Sequence, residues 1–485
     1  MLYIGIDLGT SSTKALLTNE KGEIIKSSSR SYGILYPNPG WTEQNPSDWV
    51  KALIEILKEL SKGHENEING ISFGGQMHGL VVLDKDDNVI RPCILWNDGR
   101  TEAETEYLNE VIGKDNLSKY TGNIAFAGFT LPKILWMKNH EKENFDKISK
   151  IMLPKDYLAY YLSGIHATDY SDASGMLLLD VEHRSYSKEM LEIAGISESM
   201  LPKLYESYDV IGTLKEPIKK ELNLKRDVNI VIGAGDNAAA AVGTGTVGNN
   251  KCNISLGTSG TIFITSDKYS VDKKNSLHSF CHADGGYHLM GCILSAASCN
   301  GWWLNKILNR TDFDYHNTEM SNVDINNGVY FLPYLSGERS PHNDVNIRGA
   351  FLGLSHTTTE AMMGRAVLEG VAFALRDCLE VAKQNGVNIT STKLCGGGSK
   401  TTLWISIIAN VLNVPVEIPC VEEGPSYGAS ILAMVGSKEY PDIISATNAI
   451  IKTKEIIYPD SKQVSIYEEK YNTFKKIYPK LKGLL

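Results

Sequence analysis

The 485 residues predict an α/β protein built of two related domains facing one cleft, 1–248 and 249–485, divided near Gly248. Three observations carry this. The N-terminus reads strand, strand, strand, helix, strand. The segment "NISLGTSGTIFI" from Asn253 echoes "IGIDLGTSSTKALL" from Ile4, so each half opens on one kind of hairpin. A later strand, "TKLC", runs into three glycines. The echo occurs twice and not in series, so it is a duplicated unit and not a solenoid.

The elements follow in order. "LYIGIDLG" and "TKALLTNE" are β-like runs joined by a Gly-Thr-Ser turn, and "EKGE" turns the chain into "IIKSSS". "NPSDWVKALIEILKEL" is a helix with Asn45 as N-cap and Pro46 in its first position. Its buried stripe is Trp49, Leu53, Ile56 and Leu60, at helical spacing. "INGISFGG" is a buried strand, "VNIVI" before Gly233 another, and Thr359 to Gln384 a long helix.

Bulk composition narrows the function classes. Forty-eight Lys and Arg against 57 Asp and Glu leave a net charge of −9. A nucleic-acid or anionic-membrane surface needs a basic footprint, so neither partner is expected. No apolar run approaches the roughly 20 residues of a membrane helix. "MLYIGIDLGT" lacks the basic region and long apolar stretch of a secretory signal. The eight cysteines stand singly, with no C-x-x-C, as reduced thiols of a cytoplasmic protein do. Oligomeric state stays open, a homodimer included.

"VIGAGDNAAAAVGTG", from Val231, poses the main question. Gly233, Gly235 and Ala238 fit G-x-G-x-x-A after a strand, the pattern of a dinucleotide loop. The pattern fails twice. Asp236 would repel a pyrophosphate, and the next strand, "NKCNISLGTSG", lacks the acidic residue that would hold a ribose. As a helix N-cap, Asp236 is explained without catalysis. The small residues around it are read as open space that admits a substrate.

Phosphates can be held by backbone amides converging at a tight turn. "DLGTSSTK" offers Gly9 for close approach and Thr10, Ser11 and Ser12 as hydroxyl donors. Asp7 ends the strand beside them. A carboxylate cannot hold phosphate directly, so it is read as an anchor for Mg²⁺. Gly257, Thr258 and Ser259 form a matching turn in the second half, and two such turns could clamp one triphosphate. Gly396 and Gly397 would let a flat base lie against backbone. There is no G-x-x-x-x-G-K-[ST], which excludes a P-loop. "HSFCH" brings His278, Cys281 and His282 together, but a strand would split them between two faces, against a zinc site. Trp302 and Trp303 are expected to anchor a helix in the core. Asp98 and Arg100 of "WNDGR" could ion-pair at the cleft rim.

From Leu2 to about Val435 the chain resembles the FGGY carbohydrate kinases. "GFTLPKILWMKNH" (128–140) looks like that family's first signature and "GAFLGLSHTTTEAMMGRAVLE" (349–369) like its second, departing at Met362, where a polar residue is usual. "GQMHGLVVLD", "RPCILWNDGR", "TDYSDASGMLLLDV", "HSFCHADGGYHLMG" and "SGERSPHNDVNIRG" resemble its pentulose branch. The resemblance implies two ribonuclease-H-like domains of the actin-like ATPase type flanking a central cleft. It implies ATP and Mg²⁺ as cofactors, a small sugar as partner, and phosphorylation of D-xylulose to D-xylulose 5-phosphate in pentose catabolism. By the same resemblance Asp236 is the general base, Met77 and His78 contact the sugar with Asn237 as a further contact, and Asp7 lies near Mg²⁺ through water. Gly396 and Gly397 match the nucleotide site. Kinases for another ketose, polyol or sugar acid are the nearest alternative, and a non-catalytic actin-like ATPase the distant one. A carboxylate capping a helix is expected at or below the usual value of about 3.9, and so ionised at neutral pH.

Overall fold

The structure, a computed structural model, describes residues 1–311 and 318–484. The first half supplies β1 (Leu2–Leu8), β2 (Ser12–Asn19), β3 (Ile24–Ser31), α1 (Pro46–Ser61), β4 (Ile68–Gly75) and α2 (Thr130–His140). It continues with β5 (Val210–Thr213), β6 (Asn229–Val231), β7 (Ala234–Gly235) and α3 (Asp236–Thr244). The second half supplies β8 (Cys252–Leu256), β9 (Gly260–Ser266), β10 (His278–Cys281), β11 (Tyr287–Ile293) and α4 (Glu360–Gln384). β12 (Thr392–Cys395), β13 (Val416–Pro419), α5 (Gly424–Gly436), β14 (Thr453–Ile457) and α6 (Ser461–Phe474) complete the main frame. Shorter elements fill the connections.

Each half is organised on one mixed sheet. The first runs β5-β6-β4-β1-β2-β3, with β7 also pairing β4. The second runs β10-β11-β9-β8-β12-β13-β14. In both, an antiparallel hairpin (β1/β2, β8/β9) takes a third antiparallel strand on one side. On the other side its first strand takes a parallel neighbour (β4, β12), followed by a second parallel strand (β6, β13). The echoed sequences thus fold into the same place in two topologically equivalent sheets.

The register of the first sheet sets up the site. Leu8 and Gly235 both pair with Gly75, so β1, β4 and β7 end level with one another. The residues that follow, Gly9–Ser12, Gln76–His78 and Asp236–Asn237, leave the sheet along one edge. Ligands of α/β sheets gather at such carboxyl ends. α1 forms as its pattern requires: Trp49, Leu53, Ile56 and Leu60 are buried against the β1 and β4 core. α4 begins at Thr359, whose hydroxyl accepts the Met362 amide at 3.3 Å.

α5 follows β13 of the second sheet but packs on the first. Its buried Ile431, Leu432 and Val435 share a core with Tyr3, Leu16 and Val231. It also crosses α3 at very short range. A Cβ on Gly428 would collide with the Ala239 carbonyl oxygen, and one on Gly243 would crowd the Gly424 carbonyl. α3 and α5 therefore form a close contact between the halves, beside the core that Phe280 and Cys281 of β10 share with the first half, and both begin at the cleft.

Candidate active site

A cavity of about 390 Å³ opens between the halves. Asp236, Asn237 and Ala240 of α3 form one wall. Gly257, Ser259 and Gly396, at the ends of β8 and β12, face them, and Glu422, Gly424 and Pro425 close the side at the start of α5. Five expected site residues thus meet in one space: Asp236, Asn237, Gly257, Ser259 and Gly396. Thr258 and Gly397 neighbour the lining without joining it. Asp7, Gly9–Ser12, Met77 and His78 lie outside the lining, at the strand ends of the first sheet.

Both Gly-Thr turns leave amides free. In the first, Gly9 N–H donates to Ser12 O at 3.0 Å, while the Thr10 and Ser11 amides have no backbone acceptor among the described residues. In the second, the carbonyls of Gly257 and Thr258 accept the amides of Ala297 and Ala296, at 2.9 and 3.0 Å. The amides of Gly257, Thr258 and Ser259 have no backbone acceptor among the described residues. Turns with carbonyls bound and amides free suit an anion.

The stretch around Asp236 corrects two expectations. Gly235, not Asp236, is the N-cap of α3, and Asp236 is the first helical residue. Its Oδ1 still accepts the Asn237 amide at 2.7 Å and the Asn237 side-chain nitrogen at 3.1 Å. Burial outweighs that bond and raises the carboxyl to about 6, instead of leaving it at or below its ordinary value. The small residues are also not chiefly open space. Gly233 has φ +79, and a Cβ there would strike the Phe73 carbonyl. Gly235 lies against Met77, and Ala239 lies under Gly428. Only Ala240 among the four alanines faces the cavity.

His78 is held in an unusual way. Its φ is +69, a left-handed conformation that costs a side-chain-bearing residue roughly 1–2 kcal/mol. Two groups of α2 fix it there: Lys133 Nζ donates to the His78 carbonyl at 2.8 Å, and the Thr130 hydroxyl at 3.1 Å. Burial lowers the Lys133 ammonium to about 7. The imidazole Nδ1 lies 2.8 Å from the Gly175 carbonyl, which fixes it as the donor, and the ring packs on Phe129 at 4.7 Å. Burial, reinforced by Lys133, lowers His78 to about 3, so the ring is neutral. Met77 is buried between Gly235 and Gly175.

Asp7 ends β1 with its carboxyl raised to about 7, first by burial and then by the negative charge of Asp236. Lys14, its register partner on β2, opposes the rise. Lys14 itself is ion-paired with Glu423 just before α5.

Family models for the N-terminal and C-terminal domains of the FGGY family of carbohydrate kinases match residues 2–243 and 252–437. The chain belongs to this family. This FGGY kinase is 37% identical to the xylulose kinase of Escherichia coli K12, over 100% of each chain. It is 36% identical to that of Staphylococcus xylosus, over 98% of this chain and 99% of the relative. It superimposes on a crystal structure described as a "xyloylose kinase" from Brucella ovis with a TM-score of 0.95, at 40% identity over 100% of both chains. Solved structures of this family carry the actin-like ATPase fold, which the paired sheets share.

The other sequence candidates of the FGGY kinase fall elsewhere. His278 stacks with Phe280 on β10, and His282 lies 3.1 Å from the Thr246 carbonyl. Among the described residues no group of three or more His, Cys, Asp or Glu is arranged to hold a metal ion. No described helix is long and apolar enough to cross a membrane. Trp303 is buried in the second core, and Trp302 stacks on Phe331. Asp98 and Arg100 do pair, at 2.7 Å, but in the interior and not at the rim. Arg100 lies over the Trp41 ring at 3.9 Å and also meets Glu43, so the group is a structural clamp.

Sequence reasoning missed Lys14 and the Glu422–Pro425 wall. Lys14 sits two residues past the Gly9–Ser12 turn, a signal open to inspection. Glu422 is more than 400 residues away, and nothing local marks it.

Proposed function

We propose that this kinase transfers the γ-phosphoryl group of ATP to the terminal hydroxyl of D-xylulose, giving D-xylulose 5-phosphate, with Asp236 as general base. The observation that carries the reading is the position of Asp236. It lies on the cavity wall and directly after β7, level with the strand ends that carry Met77, His78 and the Gly9–Ser12 turn. The full-length likeness to xylulose kinases supports the choice of sugar.

Each residue has a part in this reading. The amides of Gly9–Ser12 and Gly257–Ser259 receive the phosphates from the two halves, and Gly396 and Gly397 carry the nucleotide's base. His78, neutral and fixed as donor at Nδ1, offers Nε2 to the sugar, and Met77 packs against the sugar's apolar edge. Asn237 adds an amide. Asp236 orients the hydroxyl and takes its proton as the O–P bond forms.

Mg²⁺ suits the donor set. Asp7 and Asp236 repel one another, and the nearby cation, Lys14, is already paired with Glu423. Asp7 would hold the ion through water, and the bound ion supplies charge neutralisation on the phosphates. Phosphoryl transfer passes through a loose transition state, so positioning and neutralisation supply most of the rate.

The crystal structure of a gluconate kinase from Lactobacillus acidophilus matches with a TM-score of 0.94 at 26% identity, so the fold admits a sugar acid as well. ADP release measured across ketoses, polyols and sugar acids separates the two. D-Xylulose should give the highest kcat/KM. No stimulation by D-xylulose above the sugar-free rate would refute the reading.

A further inference from the structure

A second cavity, of about 730 Å³, lies in the second half between α4, α6, the 272–276 loop and the 341–342 turn. It shares no lining residue with the cleft. Its size falls in the range of about 300–1,000 Å³ that small-molecule sites occupy. We propose that it is a second binding site, for a small anionic and polyhydroxylated molecule of the sugar-phosphate class.

Charge accounting supports the anion. The carboxylates of the lining are engaged. Asp272 accepts the amides of Lys274, Ser276 and Leu277. Asp377 accepts the Tyr471 hydroxyl at 2.7 Å, and Glu380 is ion-paired with Lys383 at 2.9 Å. The lining ammoniums of Lys273, Lys274 and Lys475 have no acidic partner among the described residues. Glu380 is neutralised by Lys383, whereas Asp272 keeps its charge and burial raises Asp377 to about 7, so the three ammoniums outnumber the carboxylate charge left in the lining. A phosphate suits a lining that carries several ammonium donors, since charge-assisted hydrogen bonds are about twice as strong as neutral ones.

The rest of the lining suits hydroxyls on a compact ring or chain. Ser276 and Gln384 present side chains with no partner of their own among the described residues. Tyr471, Phe474 and Tyr478 give an apolar wall, and the His342 ring stacks on Tyr478 at 3.8 Å.

The site is also connected to the cleft. Pro341 and His342 line it, and Arg339, two residues earlier, lies over the Phe126 ring at 5.1 Å. Phe126 packs on Phe129 at 5.4 Å, and Phe129 on His78 at 4.7 Å. The 339–342 segment is thus joined to the His78 ring by a continuous run of ring contacts.

Isothermal titration of the full chain with D-ribose 5-phosphate, D-ribose and inorganic phosphate tests the proposal. The comparison is wild type against Lys274→Ala/Lys475→Ala, both exposed positions that do not line the cleft. D-Ribose 5-phosphate should bind wild type and bind the double variant at least about tenfold more weakly, a loss of about 1.4 kcal/mol. Ribose and phosphate alone should each bind more weakly than the phosphorylated sugar. ADP release by the double variant should stay at the wild-type rate. Equal affinity in wild type and variant would overturn the site, and so would no heat up to about 10 mM ligand. Equal affinity for inorganic phosphate would overturn the hydroxylated class.

Discussion

The proposed reaction concentrates its chemistry in Asp236, a carboxyl that is costly to keep ionised. Burial raises it to about 6, and Asp7 beside it to about 7. The charge of Asp236 adds to the rise at Asp7. The base must be ionised to accept a proton, so kcat/KM for the sugar should fall with acidification through about pH 6. A profile flat down to about pH 5 would be inconsistent with the assignment. The same shift has a stability consequence. A carboxyl whose folded value is raised favours folding in its protonated form, and that advantage is lost as pH rises from about 4 through about 6. Asp236→Asn removes the buried charge, so near pH 7 it should stabilise the ligand-free chain by about 1–3 kcal/mol. Thermal melts should show the gain at pH 7 and little difference below about pH 4. The failed dinucleotide pattern singled this residue out, and the structure places it on the cleft wall. Its environment was not legible, because the local sequence shows the helix start that lowers a carboxyl's pKa and hides the burial that raises it.

At the scale of elements, the contact between α3 and α5 joins the halves. "GAGDNAAAAVG" and "GPSYGASILAMVG" are two small-residue helices whose backbones touch. Gly428 fits beneath Ala239 because it has no Cβ, and the opposing atom is backbone, which cannot swing aside. Gly428→Val should therefore cost at least about 3 kcal/mol, read from urea denaturation, with loss of activity following unfolding. A loss under about 1 kcal/mol would show that the helices can separate freely. The helices and hairpins were legible individually, from periodicity and turn residues. That α5 crosses back to pack on β1 and β4 was not, because its partners lie some 400 residues earlier and no local pattern records them. For the same reason the small residues of α3 suggested substrate space when most of them serve helix contact.

At the scale of the molecule, two equivalent sheets present their strand ends to one cleft. The twofold echo of "LGTS" made that arrangement legible in advance, because a hairpin pairs with itself and needs no distant information. The cleft divides the labour of the proposed reaction. The first half carries the base and the sugar contacts, the second carries one phosphate turn and the glycine segment, and α5 links them. Helix α2 ties the frame to the site through Lys133 and the His78 carbonyl.

The most direct test of this arrangement is the turnover of Asp236→Ala with D-xylulose and ATP, measured alongside ATP affinity by calorimetry. Loss of a general base costs about 10²–10⁴-fold, so kcat should fall by about a thousandfold with ATP binding unchanged. Turnover within about tenfold of wild type, with ATP still bound, would contradict the assignment of Asp236 as the base.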